Sequence, residues 1–202
     1  MTLVADASTA ALPGSAVNVR DSAIGARGDG KTDDTAAIQT AIDRYHRVYL
    51  PQGVYRIDPR VGLVVRTGTQ LVGDGPSATL LLASPGGGTT AQLTSYGPGS
   101  IIRRRFNPLG KNDYVTNVRI TDLAVIMTHP ADRVTTNEIQ IGIDLRNISR
   151  SLVERVHVGN LLPAGNVPTR SLSPVFASQG YGIVFGTVSS GDRAYAGGEV
   201  NT

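Results

Sequence analysis

Val17-Asn18-Val19-Arg20-Asp21, then Ile24-Gly25-Ala26-Arg27-Gly28-Asp29-Gly30-Lys31-Thr32-Asp33-Asp34-Thr35, runs straight into Ala36-Ala37-Ile38-Gln39-Thr40-Ala41-Ile42-Asp43. Val17, Val19 and Ile24 alternate well enough for a short strand. Gly25, Gly28 and Gly30 then permit backbone angles that a Cβ would resist. Thr32, Asp33 and Asp34 offer oxygens to the free amides of a helix start, with charge that suits the positive end of its dipole. Ile38, Ala41, Ile42 and Tyr45 recur at i, i+3, i+4 and i+7, one apolar stripe. So short a helix is marginal alone, and its stripe must cover something.

Working outward, Val48 to Leu50 and Val54 to Ile57 read as strands around the turn Pro51-Gln52-Gly53. Leu63-Val64-Val65, Gln70-Leu71-Val72 and Thr79 to Leu82 are further short strands, with Thr67-Gly68 and Gly73-Asp74-Gly75-Pro76 between them. A glycine-rich polar stretch from Pro85 to about Asn112 reads as an excursion from this scaffold, the kind of loop that carries binding or serves as linker. Beyond it Val118, Ile120, Leu123 and Val125 suggest two short strands joined at Thr121-Asp122. Leu152-Val153 and Val156 to Val158 repeat that arrangement, and Tyr181 to Phe185 repeats the Gly-Ile-x-apolar pattern of Gly142 to Leu145. Such repetition of very short strands predicts stacked coils, with Ile143 above or below Ile183 and Leu145 aligned with Phe185. Residues 1–16, small and polar, read as a flexible arm, and residues 17–202 as one domain.

The order and spacing of the opening motifs resemble the N-terminal region of the pectate-lyase-like superfamily, in the branch of rhamnogalacturonase-like and epimerase-like proteins and many phage tailspikes. The resemblance implies an all-β fold, a right-handed parallel β-helix with one short N-terminal capping α-helix. The capping unit would span residues 17–57 and the coils residues 61–202. It implies a polysaccharide partner, as in lyases, glycoside hydrolases and epimerases, and a location outside the cell or in a virion; the alternatives are a tailspike-like virion component that binds a surface glycan and a non-catalytic β-helix scaffold. Glu199-Val200-Asn201-Thr202 reads as the start of another strand. The expectation is therefore a longer β-helix, or a partner chain or homotrimer closing that edge.

Composition narrows the alternatives. With 202 residues and 40% apolar content, the chain can bury a real core. Its 24 glycines and lack of tryptophan suit many tight turns. Net charge is only +3, and Arg103-Arg104-Arg105 is the one basic cluster, read as a solvated loop, so nucleic acid is not an expected partner. No apolar run approaches a membrane span. Without cysteine there are neither disulfides nor thiolate metal sites.

Candidate chemistry lies on outward strand faces. Asp144 and Arg146, two apart on one strand, share a face and could hold a sugar ring or a uronate. The plain alternative is a solvent-facing ion pair worth less than about 1 kcal/mol. His157 is the candidate proton-transfer group, since His46 ends the predicted helix and His129 precedes Pro130. Glu154 and Arg155 beside it are candidate binding residues. Asp33 and Asp34 are read as helix caps rather than paired catalytic acids. No HExxH, GxSxG or EF-hand loop occurs. The clustered aspartates with Gly-His-Gly of the resembling glycosidases are absent too, so no family catalytic residue is carried over. No cofactor is evident from the residues, and calcium is the ion the resemblance to lyases would implicate.

Overall fold

The structure, a computed structural model, describes residues 16–59, 61–83, 99–104, 114–127, 140–160 and 180–186. In chain order these form β1 (Val17–Asn18), β2 (Asp29–Asp33), α1 (Thr35–Arg44), β3 (Arg47–Leu50), β4 (Gly53–Ile57) and β5 (Leu63–Val65). There follow β6 (Gln70–Gly73), β7 (Thr79–Ala83), β8 (Gly99–Arg104), β9 (Val115–Thr116) and β10 (Arg119–Met127). The last are β11 (Gln140–Arg146), β12 (Ile148–Ser149), β13 (Leu152–Asn160) and β14 (Gly180–Gly186). The pairings among them are parallel. The fold is a parallel β-helix with one capping helix, as the sequence predicts.

Each coil adds a rung to the same walls. β3, β6, β10 and β13 stack in one wall, and β4, β7 and the second half of β10 in the next. β5, β8, β11 and β14 form a separate sheet. Apolar residues at alternate positions therefore pile into columns. Val17, Val48, Leu71, Ile120 and Val153 make one, and Tyr55, Leu81, Val125 and Val158 another. Leu63, Ile102, Ile143 and Ile183 make a third, on the sheet that carries Asp144. The expected alignments Ile143 with Ile183 and Leu145 with Phe185 are both present.

The corners need unusual backbone. Asp122 and Arg155, in the left-handed region at φ 59 and 52, bend β10 and β13 from one wall to the next. Here the expected pair of short strands is one continuous strand with a bend at Asp122. Gly73 lies under this corner: a Cβ there would stand 2.2 Å from the Asp122 carbonyl oxygen. At another corner the residues two before Gln70, Arg119 and Leu152 are Gly68, Asn117 and Arg150, all with positive φ.

α1 closes the bottom. Ile38, Ala41 and Ile42 are buried as predicted, but Tyr45 is not in the stripe. It is the C-cap, already extended at φ −132 and ψ 141, and 42% exposed, because the chain leaves the helix there to enter β3. Gln39 pairs with the edge of β5: its Nε2 donates to the Val64 carbonyl at 3.2 Å, and the Val64 N–H donates to its Oε1 at 2.8 Å. A side-chain amide thus takes the place of a neighbouring strand's peptide group.

Several local expectations are corrected. Residues 29–33, read as glycine-rich backbone leading to the helix start, are strand β2 paired parallel with β4. The first strand stops at Asn18, and the backbone turns before Ile24. Asp33 caps α1 as expected, accepting from the Thr35 N–H and hydroxyl at 2.9 and 2.6 Å. Asp34 makes no side-chain cap; its carboxylate instead accepts from the Arg27 and Gly28 amides at 2.7 and 3.0 Å and ties the glycine loop to the helix. Within the predicted excursion lies β8, held between β5 and β11, so Arg103 and Arg104 sit on a strand rather than in a solvated loop. The rest of that excursion, Arg105, His129, the N-terminal arm up to residue 15 and the C-terminal edge fall outside the described residues.

Candidate functional site

β11 brings Asp144 and Arg146 together. Inward Ile143 and Leu145 anchor the strand in the core, which forces the two polar residues to the opposite face. The Asp144 carboxylate accepts from the Arg146 backbone N–H at 3.1 Å, from its Nε at 2.8 Å and from its Nη2. This is a bidentate pair with an added backbone bond, a geometry that fixes the guanidinium plane. Neither group is the solvent-facing charge of the plain alternative: Asp144 is only 7% exposed, and the Arg146 side chain 16%. Sequence reasoning took alternation to mean exposure, whereas an outward face on a β-helix can be covered. It also missed Arg103, which lies one rung below Asp144 in the same column. Only the register reveals that neighbour, since 41 positions separate the two in sequence.

The other three candidates lie on a different sheet. Glu154, Arg155 and His157 belong to β13, where Thr121 faces Glu154 and Ala124 faces His157. His157 is exposed, and its ring folds over Gly159, whose missing Cβ would lie 2.8 Å from Nε2. Arg155 grips Asp122 with two bonds, Nε to Oδ1 at 2.5 Å and Nη2 to Oδ2 at 2.8 Å, and reaches Glu154 at 2.6 Å through Nη1. These bonds hold the Asp122 carboxyl below its ordinary range and push the Arg155 guanidinium up. Asp122 was missed as a partner because its relation to Arg155 is one coil period, not a motif.

A third polar cluster closes the corner near the bottom of the stack. The Tyr49 hydroxyl donates to Asp74 at 2.7 Å, and the Gln52 N–H donates to the same carboxylate at 2.7 Å. This bond pushes the Tyr49 phenol up to about 12. Among the described residues no three His, Cys, Asp or Glu side chains gather as a group that could hold a metal ion. Nor is any described helix long and apolar enough to cross a membrane.

Known proteins bear on the fold and on the chain's relationships. Alginate lyase 7 of Azotobacter vinelandii is 43% identical over 74 residues, 32% of this chain and 8% of the relative. The mannuronan C5-epimerase AlgE1 of the same organism is 45% identical over 74 residues, again 32% of this chain and 5% of the relative. The chain thus spans a small part of these relatives' length. The solved A-module of the A. vinelandii mannuronan C-5 epimerase AlgE6 superposes with a TM-score of 0.54 at 24% identity, covering 84% of this chain and 40% of the module. Residues 16–160, from the first strand through β13, match the family model described as rhamnogalacturonase A/epimerase, pectate lyase-like, and the chain belongs to that family.

Proposed function

We propose that this chain is part of a polysaccharide-acting protein that works on an acidic glycan outside the cell or on a virion, with the β11 face as the reacting surface. The observation that carries the reading is the Asp144–Arg146 pair, a guanidinium set in one plane on a largely covered face. The relatives named for alginate lysis and mannuronan epimerisation support it. Uronate elimination and epimerisation both begin when a base, water or a side chain outside the Asp144–Arg146 pair, accepts the proton beside the sugar's carboxylate. Negative charge then grows on that carboxylate, and a pre-oriented guanidinium stabilises it more than the ground state. Arg146 is the substrate-contacting residue in this reading, and Asp144 holds its plane. His157, Glu154 and Arg155 serve as glycan contacts on their own face.

The test is turnover of polymannuronate, polyguluronate and polygalacturonate by the protein, followed by the ultraviolet absorbance of unsaturated uronate and by proton NMR of epimer content. Arg146→Gln is expected to lower turnover by about a hundredfold. Asp144→Asn should lower it less, because one acceptor oxygen remains. Undiminished turnover by Arg146→Gln would remove the β11 face from the reaction.

A further inference from the structure

The wall of β3, β6, β10 and β13 meets the wall of β4 and β7 at a corner. In successive coils that corner is Pro51-Gln52, Gly73-Asp74-Gly75, Asp122 and Arg155. Side chains tie these turns to one another. At the bottom the Arg20 guanidinium lies over the Tyr55 ring, 5.7 Å from its centre, and donates to the Gln52 carbonyl at 2.7 Å. It fills the space that a Cβ on Gly53 would need. The Gln52 N–H donates to the Asp74 carboxylate of the coil above, which also accepts from the Tyr49 hydroxyl. The Asp74 N–H donates to Thr79 Oγ1, and that hydroxyl donates to the Leu50 carbonyl, both at 3.0 Å. One coil higher, the Asp122 carbonyl accepts from the Gly75 N–H at 2.7 Å. The Asp122 carboxylate is gripped in turn by Arg155, which also holds Glu154.

The corner at the other side of the first wall is closed by neutral groups. There the Gly68 N–H donates to the Thr116 carbonyl at 2.9 Å, and the Asn117 N–H to the Ser149 carbonyl at 3.1 Å. The Thr116 and Val118 amides donate to the hydroxyls of Thr67 and Ser151 at 3.2 and 3.0 Å. The Arg66–Asp43 pair ties that corner to α1 rather than one coil to the next. Two corners of one stack therefore respond differently to protons. A carboxylate joint changes its bonding when protonated, whereas a peptide or hydroxyl joint does not.

We propose that the corner from Gln52 through Asp74 and Asp122 to Arg155 is an acid-opened seam, in which two carboxylates latch successive coils and protonation releases this corner alone. The inference does not depend on what the chain binds. Asp74 is exposed and faces Tyr49 and, across Gln52, Arg20. Protonation leaves it one free acceptor oxygen for two donors, so the Tyr49 hydroxyl or the Gln52 N–H is released. Asp122 faces Arg155, itself shared with Glu154, and without the charges of these acids the guanidinium is no longer held. Arg155 keeps the Asp122 carboxyl below its ordinary range. The latch is therefore closed at neutral pH and opens as pH falls through that depressed value. Exposed joints of this kind add little to global stability, so the opening is local and the apolar columns stay stacked.

Amide hydrogen exchange of the full chain, read residue by residue by NMR and corrected for the intrinsic effect of pH, tests this. Between about pH 7 and 3, protection of the Gln52 and Gly75 amides should fall about tenfold more than that of Gly68 and Asn117. Asp74→Asn with Asp122→Asn mimics the protonated latch, since an amide keeps the shape and one acceptor oxygen without the charge. Asparagine also tolerates the positive φ at position 122. The double variant should show the selective loss already at neutral pH, with little further change in acid. Protection at Gly68 and Asn117 reports in the same sample that the coils are still stacked. Should the double variant not fold, the acid profile of the parent chain decides alone. Equal loss at both corners in the parent would overturn the seam. So would a folded double variant whose Gln52 and Gly75 amides stay protected at neutral pH.

Discussion

Asp29 and Asp34 lie five residues apart and titrate in opposite directions. Asp29 is exposed, and the Thr32 and Lys31 amides together with the Thr32 hydroxyl lower it to about 2. Asp34 is buried, and desolvation raises it even though the Arg27 and Gly28 amides pull the other way. A carboxyl depressed in the folded state supports folding above its unfolded value and loses that support as pH falls through the folded one. Asp29, and likewise Asp122, therefore make the fold weaken as acid is added. Asp34, raised, has the reverse sign: its burial opposes folding when ionised, and that opposition fades as pH drops through its folded value. Asp29→Asn should flatten the fall of Tm between about pH 4 and 2. An unchanged slope would assign the acid limb to other carboxyls.

At the scale of elements, α1 ends the stack by two devices. Its apolar stripe was readable from the spacing of Ile38, Ala41 and Ile42. The pairing of Gln39 with Val64 was not, because it depends on which strand the helix lies beside. Gln39→Leu keeps the helix and its stripe but removes both bonds to the edge of β5. It should cost about 1–3 kcal/mol in urea unfolding and speed amide exchange at Val64 in particular. Uniform acceleration along the chain would mean that the helix, not the edge, had been damaged. The same distinction applies to the corners. Gly68 announces its turn by residue type, and Asn117 does so more quietly. Arg150 and Arg155 adopt the same backbone by position in the stack, against their own preference.

The whole molecule is a pile of rungs, each held chiefly by the rung above and the rung below. Ile143 is fully buried in the column between Ile102 and Ile183. Ile143→Ala should therefore cost about 2–5 kcal/mol, measured by urea unfolding, with β8 and β14 losing exchange protection before β3 and β4. Simultaneous loss across the molecule would show that the stack unfolds as a single unit. Short alternating strands and the repeated Gly-Ile pattern were legible because an inward column needs an apolar residue at every rung. That Asp144 and Arg146 share a face was legible too, since alternation along one strand is local. That the face is covered, that Arg103 lies beneath it and that His157 stands on another sheet was not. Those relations join residues about 40 positions apart, or place two strands in different walls, and the bends at Asp122 and Arg155 set them. Sequence by itself determined the coils, the capping helix and the outward residues, because each follows from the physics of neighbours along the chain. Only the tertiary structure decided which outward residues meet, because the register between coils depends on the length and turn of every segment between them.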